Sequence, residues 1–271
     1  MMRSLWTGAS GMVTQQTNVD TIANNLANIN TTGYKSEKAE FKSLLYQTIQ
    51  KKSTDSTGAE KPVGIQVGLG TMNSAVTSQF TQGAYTETGN QWDFAIGGDG
   101  FFALQMPDGT TSYTRSGAFK MSVGVGGNTL CDSRGNPVLD TSGAPITLDA
   151  GFTPSRITVD ERGNFSYPDE NGDIKPMGIQ IGLVQFNNPA GLEKGSNSML
   201  KESPASGAPR WESGDTALTK SEMKQKYLEA SNVQAVDEMV NLIVAQRAYE
   251  MNSKIITASD TMLQQANNLR G

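Results

Sequence analysis

Glycine and proline divide this chain before any other feature does. All ten prolines lie between Pro62 and Pro209, and 25 of the 29 glycines lie between Gly58 and Gly214. The two residues that most disfavour a helix interior are thus confined to the middle of the sequence, and both ends are free to be helical. Residues 4–30 place Leu5, Met12, Val19 and Leu26 seven apart, with Ile22 and Ile29 three after two of them. This is the a/d spacing of a coiled-coil seam. Gly8 and Gln15 fill the first two d positions, which predicts a weak start to the seam and first turns that fray when alone. Residues 221–269 contain neither glycine nor proline. Their apolar residues Val236, Val240, Val244, Ala248, Met251, Ile255, Ala258, Met262 and Leu269 fall mostly three or four apart, which predicts one long amphipathic helix.

Between the ends, turn signals recur: Pro107-Asp108-Gly109, Arg115-Ser116-Gly117, Ser133-Arg134-Gly135-Asn136, Thr141-Ser142-Gly143, Glu161-Arg162-Gly163-Asn164 and Glu170-Asn171-Gly172-Asp173. Spacings of 8 or 9 residues, or about twice that, predict an all-β domain. The stretches Phe101–Leu104, Arg156–Val159 and Ile179–Val184 are its candidate strands, with one or two buried faces. The expected class is therefore α+β: terminal helices forming a coiled-coil-like domain, with an all-β middle domain inserted. The expected boundaries are an N-terminal helix over 1–35, an extended or hairpin connector over 36–79 with a polar stretch at 47–66, the β domain over 80–213, and a C-terminal helix over 214–271.

Composition removes most enzyme chemistry. The chain has no histidine and one cysteine, Cys131, so there is no histidine general base, no Ser-His or Cys-His pair, no zinc finger and no intramolecular disulfide. A net charge of −5 offers no broad basic face to release phosphate counterions, so nucleic acid is not an expected partner. The longest apolar runs, such as Leu242–Ala245, fall far short of the roughly 20 residues that span a bilayer. Thr7, Gly8, Ser10 and Gly11 interrupt any apolar stretch at the N-terminus, so a cleavable secretory signal is not expected.

The terminal segments are unusual in a different way. From Ser4 to Tyr34 the only charged side chain is Asp20, and from Ile255 to Leu269 the only one is Asp260. A helix with one face in water normally carries Lys, Glu and Arg there; these carry Thr, Asn, Gln, Ser, Ala and Gly. Such groups are tolerated inside protein when hydrogen-bonded, whereas buried charges need close partners. The reading is that both faces are covered in the working state, with other copies or other proteins supplying the cover. The competing reading packs both ends on the chain's own β domain.

Local constellations give little chemistry. Gly97-Gly98-Asp99-Gly100 lacks the Gly-Lys-Ser/Thr of a phosphate loop and reads as a hairpin turn. Asp169–Asp173 begins like a calcium loop but has Ile174 where glycine is needed and Gln180 where glutamate is needed. Cys131 reads as a packed thiol, and nothing in the spacing of Glu87, Asp93 and Asp99 selects a catalytic pair. Gln246-Arg247-Ala248-Tyr249-Glu250 reads equally as a solvated patch with an Arg247–Glu250 pair or as an interface contact.

Longer segments carry a resemblance. Ile22-Ala23-Asn24-Asn25-Leu26-Ala27-Asn28-Ile29-Asn30-Thr31-Thr32-Gly33-Tyr34-Lys35 is similar to the N-terminal signature of the bacterial flagellar rod and hook family. Asp93–Phe102 with Tyr113–Phe119 resembles its central β motif, and Leu228–Val233 with Gln246–Lys254 its C-terminal signature. The opening Met2–Thr7, the Leu44–Thr48 segment and the length are most similar to the distal-rod branch, in which an extra polar segment near 47–66 packs between subunits.

The resemblance implies a non-enzymatic subunit without cofactor or metal, polymerising with itself into a hollow helical rod that transmits torque to the hook. Implied neighbours are other rod subunits, hook subunits and surrounding ring or bushing proteins. The implied place is the basal body, crossing the periplasm, after export without a cleaved signal. Its assembly contacts would fall on Leu5, Met12, Val19, Ile22 and Leu26 meeting Val240, Val244, Met251, Ile255 and Met262 in an inner tube. To these are added the signature residues Asn24, Asn25, Asn28, Ile29, Gly33, Tyr34, Gln246, Arg247 and Tyr249. The rival readings are another rod or hook subunit, a carbohydrate-acting β-domain enzyme, and an adhesin-like module whose helices only dimerise.

Overall fold

A computed structural model describes residues 2–50, 64–124, 127–149, 152–153, 156–168 and 173–269. The chain has an N-terminal helix, a C-terminal helix and a β-rich middle. Helix α1 is Met2–Ala27 and α2 is Ala235–Asn268. The first four strands are β1 (Glu37–Ser43), β2 (Tyr46–Gln50), β3 (Ile65–Gly68) and β4 (Thr71–Ser78). Then come β5 (Tyr85–Glu87), β6 (Phe94–Gly97), β7 (Phe101–Gln105), β8 (Thr111–Thr114), β9 (Lys120–Gly124), β10 (Gly127–Cys131), β11 (Thr147–Leu148) and β12 (Thr158–Val159). The last eight are β13 (Asn164–Pro168), β14 (Ile174–Gln180), β15 (Leu183–Gln185), β16 (Glu193–Lys194), β17 (Leu200–Lys201), β18 (Arg210–Trp211), β19 (Glu222–Gln225) and β20 (Tyr227–Glu229). Among the described residues no helix is long and apolar enough to cross a membrane.

The chain forms two compact units. A helical unit comprises Met1–Ala27, Glu37–Ser78 and Gln234–Gly271; a β-rich unit comprises Asn28–Ser36 and Gln79–Val233. In the helical unit α1 and α2 run antiparallel. Ser4 Oγ lies 2.9 Å from Ser259 Oγ, Gly8 backs onto Ile256, Gly11 onto Asn252, and Asn25 Nδ2 donates to Glu238 Oε1 at 3.2 Å. A Cβ on Gly8 would sit 3.0 Å from Ile256 Cγ1, and one on Gly11 2.8 Å from Asn252 Nδ2. The two glycines are therefore the close-approach points of the pair. Each costs about 1 kcal/mol of helix propensity, and the helix contact they permit offsets it.

The other flank of α1 is covered by the antiparallel pair β1–β4. Asn73 Nδ2 donates to Thr17 Oγ1 at 2.6 Å, and Thr71 Oγ1 to Thr14 Oγ1 at 3.3 Å. Thr14 and Thr21 bond back to the carbonyls of Ser10 and Thr17 at 2.7 and 2.8 Å. Back-bonding of this kind is how hydroxyls sit on a buried helix face without stranded donors.

The observed contacts and elements refine the sequence reading in four places. The close contacts between α1 and α2 fall on Ser4, Gly8, Gly11 and Asn25, one residue from the heptad positions Leu5, Met12 and Leu26, which are half-buried. Part of the cover for α1 comes from its own chain, through β4, and not solely from other molecules. The C-terminal helix begins at Ala235 and not near 214–221: β19 pairs with β6 and β20 with β5. Met223 points into the core between exposed Glu222 and Lys224, a period of two that a glycine-free and proline-free stretch had concealed. Lys226, at φ 70°, separates the two strands. Similarly, α1 stops at Ala27, short of the expected 30–35. Residues 51–63 of the polar stretch lie outside the described residues; β2 and β3, which flank them, pair antiparallel.

In the β-rich unit a six-stranded sheet has the order β16-β17-β8-β7-β15-β18, accompanied by three-stranded sheets β11-β10-β9 and β12-β13-β14. Strand β7 explains the core. Alternate side chains of a strand face opposite ways; Phe102 and Leu104 enter one apolar cluster with Phe94, Phe119, Leu130 and Phe165, while Phe101 and Ala103 enter a second with Tyr113, Val184 and Phe186. Three turns reuse one device. Asp132, Asp140 and Asp160 each accept, through Oδ1, the amides two and four residues on, at 2.7–3.0 Å, with a positive-φ glycine between. Gly97–Gly100 is not the expected hairpin: it carries the chain from β6, in the β19-β6 pair, into β7 of the large sheet.

Candidate functional site

Two features stand out, one in each unit. The first is exposed apolar surface. Of 21 large apolar residues that are exposed among the described residues, 19 belong to the helical unit; Val123 and Ile174 are the others. They form a stripe along α2 from Val236 through Val240, Ile243, Val244, Met251 and Ile255 to Met262 and Leu269, with Trp6 and Val13 on α1. Phe41, Leu45, Tyr46, Ile49, Ile65, Met72 and Val76 add a third patch on β1–β4. Val240 and Val244 are 54% and 62% exposed. Each such side chain gains about 1.5–3 kcal/mol on full burial, and a contiguous patch of this extent marks an interaction surface.

The expected contact residues distribute as follows. Val240, Val244, Tyr249, Met251, Ile255 and Met262 are exposed on α2. Leu5, Met12, Val19 and Leu26 are half-buried, while Asn24 is exposed. Val19, Gln246 and Tyr249 come together, with Gln16 and Glu250, around a groove of about 410 Å³. Arg247 donates to Glu250 at 2.9 Å on an open surface, where such a pair contributes a few tenths of a kcal/mol. Three candidates are buried by their own chain and present no face to a partner: Ile22, Asn25 and Gly33. Asn25 instead clamps the start of β1, donating to Glu37 O and accepting from Glu37 N, both at 2.8 Å. Asn28, Ile29 and Tyr34 are half-buried in the turns after α1.

The second feature is a buried ion cluster in the β-rich unit that sequence reasoning missed. Glu229, on β20, accepts from Lys35 Nζ at 2.5 Å, from Arg115 Nε at 3.0 Å and from the Gly83 amide at 2.9 Å, with all three ionic side chains within 5% of full burial. Arg115 also donates to the carbonyls of Gly98 and Gly100 at 2.7 and 2.6 Å, and to Gln82 Oε1 at 3.1 Å. Burial, then the nearby Arg115 guanidinium, lowers the pKa of Lys35 against the opposing pull of Glu229. Gly33, at φ 67°, donates its amide to Glu229 O at 2.8 Å. A Cβ there would lie 2.6 Å from the Ser116 amide nitrogen, so only glycine fits.

Lys35 ends the first of the motifs quoted above, Arg115 lies within Tyr113–Phe119 and Glu229 within Leu228–Val233. Their types were visible in the sequence; their convergence was not. Other groups are committed locally: Asp93 accepts from Thr88 Oγ1 at 2.6 Å and Asn90 Nδ2 at 3.0 Å, and burial pushes the Cys131 thiol up. Residues 169–172 of the calcium-like loop lie outside the described residues.

Comparison with known proteins agrees with this geometry. The chain matches the flagella basal body rod protein family over residues 5–35, the D1 domain of flagellar hook proteins FlgE/F/G over 95–167, and the C-terminal family of flagellar basal body rod FlgEFG proteins over 224–269. It is 44% identical to the flagellar basal-body rod protein FlgG of Borreliella burgdorferi, across 100% of this chain and 99% of that protein. It is 43% identical to that of Agrobacterium fabrum, across 96% and 97%, and 38% identical to that of Bacillus subtilis, across the whole of both. The ion cluster joins residues of two of the matched segments, Arg115 and Glu229, with the last residue of the third, Lys35. With a surface built for association and its internal charges spent on holding the fold, the chain belongs to the flagellar basal-body rod and hook family, whose members are structural subunits and not enzymes.

Proposed function

We propose that this protein is the distal-rod subunit, many copies of which assemble into a hollow helical tube that carries torque to the hook. The observation that carries the reading is the concentration of exposed apolar residues on the helical unit. One antiparallel helix pair buries its small-residue seam and leaves its large apolar residues outward, so their cover comes from neighbouring copies. Contacts related by a helical operator are heterologous and non-closing, and therefore generate a filament. In this arrangement the helices form a coiled-coil-like inner layer, with Leu5, Met12, Val19 and Leu26 of one copy set against Val240, Val244, Met251, Ile255 and Met262 of another. The β-rich unit forms the outer layer, and torque passes through packed surfaces without chemistry. Other rod subunits, hook subunits and ring proteins are the neighbours, in a rod crossing the periplasm.

The test is a strain whose sole copy carries Val240→Asp and Val244→Asp, with purified basal bodies imaged. The expected result is a structure that stops before the distal rod and lacks a hook; full-length rods would overturn the reading. Deletion of residues 50–64 separates the distal rod from other members of the family. Rods that bend or fail at the hook junction support the distal position, and unchanged rods assign the chain to another rod or hook position.

A further inference from the structure

The chain passes between its two units at four points, after Ala27, Ser36, Ser78 and Val233. Three of these lie within a few residues of one side chain, Asn232. Its Oδ1 accepts from the Ser36 amide at 2.7 Å, and its Nδ2 donates to Gln79 O at 2.8 Å, Thr81 Oγ1 at 2.8 Å and Thr81 O at 3.2 Å. The backbone joins in: Gln79 N donates to Ser36 O at 2.8 Å and Asn232 N to Tyr34 O at 3.4 Å. Three residues earlier, Glu229 Oε1 holds Lys35 Nζ at 2.5 Å, and Lys35 Nζ also donates to Thr81 O at 2.8 Å. The segments 33–36, 79–83 and 229–232 are thereby tied side to side at the edge of the β-rich unit. A carboxamide suits the place because it is donor and acceptor at once; aspartate would set a carboxylate against two carbonyls, and leucine would strand the Ser36 amide.

We propose that Asn232, held in register by the Glu229 cluster, is an assembly-positioning residue. It clamps three of the four points at which the chain leaves the β-rich unit, so that force reaching any one is shared by all three. An apolar core could stabilise the unit equally well, but would leave these exits free to move separately. The clamp rests on the rod reading only for the force it bears; its geometry stands without it.

The experiment compares the full-length native chain with Asn232→Ala and the milder Thr81→Val. In purified protein, hydrogen exchange at the Ser36 and Gln79 amides is expected to rise about tenfold in Asn232→Ala and less in Thr81→Val, with β6–β8 amides unchanged. In a strain lacking its own copy, Asn232→Ala is expected to give normal numbers of basal bodies, and cells that swim in dilute buffer but stall in medium thickened with methylcellulose. Exchange at Ser36 and Gln79 equal to native overturns the clamp. So does exchange raised throughout the β-rich unit, which would make Asn232 a general fold determinant, and so does native swimming in thickened medium. If the native chain itself restores no rods, the rod reading fails, while the exchange result still decides the clamp.

Discussion

The two units of this protein spend their apolar residues in opposite ways. Among the described residues, the β-rich unit encloses Phe94, Phe101, Phe102, Phe119, Phe165, Leu104, Leu130 and Ile181 almost completely and exposes two large apolar residues; the helical unit buries Ile22, Ala39 and Ala245 and exposes nineteen. One encloses its large apolar residues, and the other leaves them open to contact. The same contrast appears in the polar groups. Buried charges in the β-rich unit are met internally, as at Lys35–Glu229–Arg115, whereas among the described residues the buried polar side chains of the helical unit, Thr14, Thr21, Asn25, Ser78 and Ser259, are uncharged and leave no ion to desolvate.

The contrast breaks most severely if the internal charges are disturbed. Glu229→Ala leaves Lys35 and Arg115 buried without a counter-charge, and is expected to cost the β-rich unit about 3–5 kcal/mol. Urea unfolding followed through that unit's core measures this. Replacing all three residues together by Met, Met and Leu is expected to recover most of the loss, since burying a well-packed apolar group avoids the desolvation cost. Phe102→Ala, in the larger apolar cluster, is expected to cost about 3–5 kcal/mol. A small effect there would mean that the β-rich unit is not the rigid partner in the comparison.

Within the helical unit the sensitive positions are the glycines. Gly11→Val places side-chain atoms where Asn252 stands, and overpacking of this kind costs about 1–3 kcal/mol. Loss of helical circular dichroism at lower urea concentration is the readout. Val244→Ser, on the outward stripe, is expected to change the stability of the isolated chain by about 0.5 kcal/mol or less while weakening assembly. A large stability cost would show that the stripe is already covered within one chain.

How much of this could be read in advance depends on the range of the interactions. The terminal helices, the strand at Phe101–Leu104 and the glycine turns at 133–136, 141–143 and 161–164 are set by neighbours in sequence and are legible there, whereas the aspartates that cap those turns, Asp132, Asp140 and Asp160, are seen only in the structure. Nor was the α1 seam legible, because a heptad reading weights large apolar residues, and the close seam is made by Gly8 and Gly11. Strands β19 and β20 were hidden because they are too short for a period of two to compete with a long run lacking glycine and proline. The Glu229 cluster depends on topology: its partners lie 194 and 114 residues away, and no local pattern records that distance.

The smallest effect sharpens the comparison furthest, because it gives the two units opposite signs. Burial, reinforced by Asp237 and only partly opposed by the hydrogen bond from Asn25, raises the pKa of Glu238 in the helical unit. Its contribution is therefore fully present below the ordinary glutamate value near 4.5 and is lost as pH rises through the folded value. In the β-rich unit, burial alone would raise Asp140 and Asp160. Hydrogen bonds from Ser142 and Ala144, and from Asn164 and Arg162, outweigh it and lower both. Their contribution is present above the ordinary aspartate value near 3.8 and is lost as pH falls through the folded values. On acidification from neutral pH, protection of the Glu37 amide, which Asn25 holds beside Glu238, is expected to increase first. Protection of the Arg162 and Asn164 amides is then expected to fall below about pH 3.8. Hydrogen exchange corrected for its intrinsic pH dependence reads both. Movement of all three amides in the same direction would mean that acid acts on the chain as one body, and the division between an enclosed unit and an open one would not extend to its electrostatics.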